Sequence, residues 1–182
     1  DQVWLFNWDQ QQKKVLHGSL PSLPEKLANL SMASKGNTLF VAGGHSPDAL
    51  STSLYTINID KDRDWRKLAD LPVSFSHGSL VIQQNGDHEC LYILGGRRKT
   101  LGMDQSVFSN EVWEFDLKSG KWKKKTPLPV AVSAHTALRS GSSYILVFGG
   151  DEGGTFNKVE QLLADITRAH DEDERNALVM QK

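Results

Sequence analysis

Cys90-Leu91-Tyr92-Ile93-Leu94-Gly95-Gly96 is a short apolar run closed by two glycines. It returns upstream as Thr38-Leu39-Phe40-Val41-Ala42-Gly43-Gly44 and downstream as Tyr144-Ile145-Leu146-Val147-Phe148-Gly149-Gly150. The first glycines stand at 43, 95 and 149, spacings of 52 and 54 residues, which marks a repeat protein. Glycine reaches positive φ and lets another backbone or a bulky side chain come close, so each doublet reads as a crowded strand end.

One complete unit runs outward from the central doublet. Leu54 to Ile59 reads as a strand, Asp60 starts a turn, Trp65 falls on the next strand and Leu71-Pro72 ends it. His77 to Gln83 alternates as a strand, Asn85-Gly86-Asp87 turns, and Glu89 to Leu94 leads into the glycines. The order then repeats. A loop spans Arg97 to Asn110, Glu111 to Leu117 is a strand, Trp122 lies on another, and Leu128-Pro129 and His135 follow. Pairing His77 with His135 in this comparison assigns the two histidines one recurring structural position. Upstream, residues 2 to 8 form an expected strand, Lys13 to His17 a returning one, and 29–34 with 38–42 a hairpin around Lys35-Gly36-Asn37. Four short strands per period make a four-stranded antiparallel sheet, the blade of a β-propeller.

Composition bounds the function. The 182 residues are 38% hydrophobic, enough for a sizeable core, and the net charge of −1 gives no footprint for nucleic acid. Lys121 to Lys125 is the one basic run. No run of 18 apolar residues is present to span a membrane. The single Cys90 excludes an intrachain disulfide framework and, in mid-strand, is expected to be a buried inert thiol. Asp1 falls within an expected strand and Lys182 within an expected helix, so both ends are expected to be cut from a longer protein.

The recurring set Gly43-Gly44, Tyr55, Asp60, Trp65 and Gly95-Gly96, Trp113, Asp116, Trp122 resembles the kelch signature over about residues 1–150. The first unit departs from it, with Lys14-Val15 where a tryptophan is expected. The resemblance implies an all-β fold, a kelch β-propeller present in part, about half of a six- or seven-bladed ring. The expected division is a propeller part over 1–154: an outer half-blade 1–20, blades 25–70 and 75–128, and an inner half-blade 132–150. A helical insertion follows over 155–182. The raw sheet edges would be closed by the remainder of the propeller or by a partner chain.

After Gly149-Gly150 the pattern changes. Val159, Leu162, Leu163 and Ile166 fall at helical spacing, and Asp171 with Glu174 has a capping-box spacing. A helical insertion introduced by Phe156-Asn157, together with Val107-Phe108-Ser109-Asn110-Glu111-Val112, resembles the sialic acid mutarotase (N-acetylneuraminate epimerase) family of bacterial kelch propellers, including its circularly permuted branch. That resemblance implies an isomerase that opens and recloses an acidic sugar with no metal or organic cofactor, located in the periplasm or secreted. It places the catalytic glutamate and arginine in a later blade, so no catalytic residue is assigned to this chain.

The remaining candidates lie just after the doublets, on the face where kelch proteins bind ligands: His45, Arg97, Arg98, Asp151 and Glu152. Arginine suits a sugar carboxylate because its planar fork meets two oxygens. Asp151 and Glu152 equally suit capping of the following helix. Two histidines without a carboxylate cluster make a poor metal site. A non-catalytic kelch module binding a protein or glycan through its loops is the alternative. A copper oxidase of the galactose oxidase type would need a tyrosine–cysteine crosslink and histidine ligands.

Overall fold

The computed structural model describes residues 1–99 and 107–153. The expected helical insertion over 155–182 lies outside the described residues. The described residues form fourteen strands: β1 (Val3–Asp9), β2 (Lys14–Leu20), β3 (Ser31–Lys35), β4 (Thr38–Ala42), β5 (Leu54–Asn58), β6 (Arg66–Lys67), β7 (Ser79–Asn85), β8 (His88–Leu94), β9 (Arg97–Arg98), β10 (Val107–Phe108), β11 (Val112–Asp116), β12 (Lys121–Lys125), β13 (Thr136–Ser140) and β14 (Tyr144–Phe148). Two four-stranded sheets, β3-β4-β5-β6 and β7-β8-β11-β12, are flanked by the two-stranded β1-β2 and β13-β14. All pairings between these strands are antiparallel. The first strand β7 lies between the first strands β3 and β13 of the neighbouring sheets, in contact with both. Separate sheets with their inner strands side by side are the blades of a partial propeller.

In the two full blades both faces of the central strands β4, β5, β7 and β8 are buried, which is why their apolar runs are continuous rather than alternating. Phe40, Ala42, Leu80, Ile82, Leu91 and Ile93 pack between the two full blades. Residues one position on face the other way: Val81, Cys90, Tyr92 and Leu94 pack toward Ala137 and Ile145 of the last half-blade, and Val41, Tyr55 and Ile57 pack toward Val3 of the first. Cys90 is 1% exposed, and burial pushes its thiol up to about 11. The tryptophans bind blade to blade. Trp65 donates from Nε1 to the Pro21 carbonyl at 2.8 Å, and Trp122 to the Ala69 carbonyl at 3.4 Å.

The glycine doublets carry the geometry read from sequence. Gly43 and Gly44 have φ of 64° and 96°, Gly95 and Gly96 57° and 86°, Gly149 and Gly150 62° and 105°. At Gly43 a Cβ would stand 2.2 Å from Phe75 Cδ1 and 2.4 Å from its carbonyl oxygen, so only glycine fits.

Four local expectations change. β7 begins at Ser79 rather than His77, and β2 runs on to Leu20 rather than ending at His17. The loop after Gly96 folds back as the two-residue ribbon β9-β10. His77 and His135 are not equivalent. The Ser31 hydroxyl donates to the Gly78 carbonyl and the Ser79 hydroxyl to the His135 carbonyl, so His135 matches Gly78. The true counterparts of His77 are Asn29 and Ala134, linked by His77 N–H to Asn29 O and Ala134 N–H to His77 O. All three share a left-handed backbone, with φ of 50°, 54° and 53°.

Candidate functional site

The candidate residues gather at the end of the molecule where β3, β7 and β13 begin and β4, β8 and β14 finish. There the residue after each doublet pairs with the residue three before each inner strand: His45 with Ala28, Arg97 with Ser76, Asp151 with Ser133. His45, Arg97 and Asp151 are therefore one position in three successive blades, and Asn29, His77 and Ala134 stand beside them. The two series form a row crossing the blades.

Along this row the side chains touch. The His45 and His77 rings stack with centroids 5.8 Å apart and planes 8° from parallel. His77 Nδ1 is hydrogen-bonded to the Ser76 hydroxyl at 2.9 Å. Arg97 follows, its guanidinium 4.8 Å from the Phe108 ring centroid, its Nε donating to Ser133 Oγ at 3.4 Å, and its Nη2 3.8 Å from Asp151 Oδ2. β9 and β10 pair Phe108 with Arg97, which is what brings that ring beneath the guanidinium. Asp151 also accepts from the Gly153 N–H at 2.8 Å, closing a local turn. A cavity of about 290 Å³ opens over the row, lined by His45, Asp48, Ser76, His77, Arg97 and Lys99 among others. That is room for one sugar ring or small acid rather than an extended chain.

The lining is cationic. Burial, then Arg97 and His45 beside it, hold His77 below the usual histidine range, which favours the neutral ring near pH 7. Every charge that disfavours the imidazolium would favour a carboxylate in its place.

Arg98 is placed differently from its neighbour. Strand alternation turns it inward, where it is ion-paired with Glu111 at side-chain exposures of 16% and 21%. Glu111 also accepts from Trp113 Nε1 at 2.8 Å and Lys124 Nζ at 2.5 Å. Burial pushes its carboxyl up, but the hydrogen bonds from Arg98, Lys124 and Trp113 outweigh this and hold it at about 2. Glu152 is exposed and makes no hydrogen bond or ion pair among the described residues. So His45, Arg97 and Asp151 are brought together, Arg98 is committed to the blade interior, and Glu152 stands apart. His77 and Lys99 complete the cleft and were not singled out as binding residues from sequence. The signal for His77 was its place two residues before the inner strand, hidden by the off-by-one pairing with His135. Among the described residues, no group of three or more His, Cys, Asp or Glu side chains is gathered as for a metal ion.

Blades of this strand order, closed by glycine doublets and pinned to one another by tryptophan, define a kelch-type propeller segment. The family model described as N-acetylneuraminate epimerase matches residues 20–182, and the chain belongs to that family. It is 27% identical over 164 residues to N-acetylneuraminate epimerase of Salmonella arizonae, covering 88% of this chain and 40% of that protein. The same identity and coverage hold over 163 residues for N-acetylneuraminate epimerase of Salmonella typhi. It is also 26% identical over 155 residues to human Kelch repeat and BTB domain-containing protein 12, covering 80% of this chain and 23% of that protein. The chain thus spans 40% of the length of the epimerases it matches.

Proposed function

We propose that these blades belong to a mutarotase that interconverts the anomers of N-acetylneuraminate or a related acidic sugar. Ring opening needs a base at the anomeric hydroxyl and an acid at the ring oxygen, and recloses without net consumption of either. This segment's contribution is the cleft at the loop end, where Arg97 meets the sugar carboxylate and His45 lies along the ring. Asp151 orients Arg97, and the acid–base pair comes from blades outside this segment. The observation that carries the reading is the family match combined with a cationic cleft of single-sugar size around Arg97. Action in the periplasm or outside the cell fits a sugar released extracellularly.

The test is NMR exchange between the α and β anomers of N-acetylneuraminate in the presence of the intact protein that carries these blades. Exchange faster than the uncatalysed rate is expected. An unchanged rate with retained sugar binding would turn the assignment to a non-catalytic kelch module.

A further inference from the structure

The cleft contains a group that the acidic-sugar reading leaves without a role. His77 is fixed through Nδ1 by Ser76, so Nε2 is the nitrogen left for a ligand, and no residue among those described bonds to it. Its backbone conformation is imposed by the blade, because Asn29 and Ala134 hold the same one. The choice of imidazole is therefore a property of this cleft and not of the scaffold.

Resting on that reading, we propose that His77 is a second anchor for the sugar carboxylate, taking up a proton as the anion docks between it and Arg97. The neighbours fix the direction of the effect. From the loop after β4 come His45 and Asp48, from β9 and the residue after it Arg97 and Lys99, from the residues before β3 Asn29, and from its own segment Ser76. Asp48 is the one acid of the lining; it is exposed and makes no ion pair among the described residues. Burial, then the neighbouring cations, disfavour the imidazolium. A carboxylate at Arg97 offsets that cationic field and accepts from Nε2–H, so the proton becomes favourable only in the complex. The same carboxylate therefore binds more tightly as pH falls through the histidine range, while remaining ionised itself. By linkage the ligand raises the proton affinity of His77 by the factor that the proton raises ligand affinity.

The experiment is calorimetric titration of the intact protein with N-acetylneuraminate in two buffers of different ionisation enthalpy, from about pH 8 to about pH 6. Buffer-dependent heats showing proton uptake are expected, with affinity rising about tenfold across the range. His77→Asn is the informative variant, since asparagine already occupies the equivalent position at Asn29. It flattens the pH profile and abolishes the proton uptake, whereas Arg97→Ala weakens binding about tenfold or more at every pH. The His77 ring resonances, followed by NMR, move to the protonated position on adding sugar near pH 7. Binding that Arg97→Ala weakens, with buffer-independent heats and a flat profile, overturns the role of His77 and leaves the acidic-sugar cleft standing. Wild-type affinity and pH dependence unaffected by either substitution, or no binding at any pH, overturns the cleft itself.

Discussion

Gly43 and Gly36 both hold a left-handed backbone, with φ of 64° and 52°, but their surroundings differ. A Cβ on Gly36 meets nothing within 4 Å, whereas one on Gly43 is driven into Phe75. Gly36→Ala therefore costs only backbone strain, about 1 kcal/mol. Gly43→Ala adds a collision with a core ring and a carbonyl, and is expected to cost more than about 3 kcal/mol. Urea denaturation of the two variants measures the difference, and equal losses would refute a close-approach role for the doublet. That role was legible in sequence because two adjacent glycines returned at one point of every period. The arginine pair was less so. Arg97 and Arg98 look alike in a loop, and only the β9 ladder, two residues long, separates the one facing the cleft from the one facing Glu111.

At the scale of the element, Glu111 ties the β9-β10 ribbon and the edge strand β12 to β11 through Arg98, Lys124 and Trp113. Glu111→Gln leaves the half-buried Arg98 guanidinium without its counter-charge, and is expected to lower stability by about 3 kcal/mol. The pH dependence has a definite sign. The folded carboxyl titrates near 2, against an ordinary value of 4.5. Its stabilisation is therefore complete above the ordinary value and is lost as pH falls from there toward about 2. Urea midpoints measured down that window fall in the wild type, and the Gln variant lacks this component. A variant that tracks the wild type through the window would show that the hub contributes nothing. Sequence reading found neither the ribbon nor the hub, because two-residue strands carry no periodicity. β4, β8 and β14 are legible because four or five apolar residues ending at a fixed punctuation mark do.

For the whole molecule, the two flanking half-blades present open sheet edges among the described residues. Asp9 accepts from the N–H groups two and three residues on, as Asp116 does, so β1 occupies the third-strand position of its blade. β14 occupies the second-strand position of another. Both edges are unpaired among the described residues, and both are apolar: Phe6, Trp8, Tyr144 and Phe148 are all more than half exposed. The 182-residue chain in isolation is expected to self-associate through these edges, with a light-scattering mass above 20.3 kDa that rises with concentration. Phe6→Lys combined with Phe148→Lys should return it toward the monomer. A wild-type mass of 20.3 kDa at every concentration would show the edges to be inert. The blade architecture was legible at this scale because an apolar run closed by two glycines returns in every repeat. The row of ligand-facing side chains was not, since it crosses the repeats and appears only once the blades are set side by side.

The bend shared by Asn29, His77 and Ala134 has a wider meaning. A carboxamide, an imidazole and a bare methyl ride on the same kink, and folding accepts each without complaint. Positions of that kind let a rim be re-lettered one blade at a time, changing the molecules it attracts while the load is carried by glycine and tryptophan elsewhere.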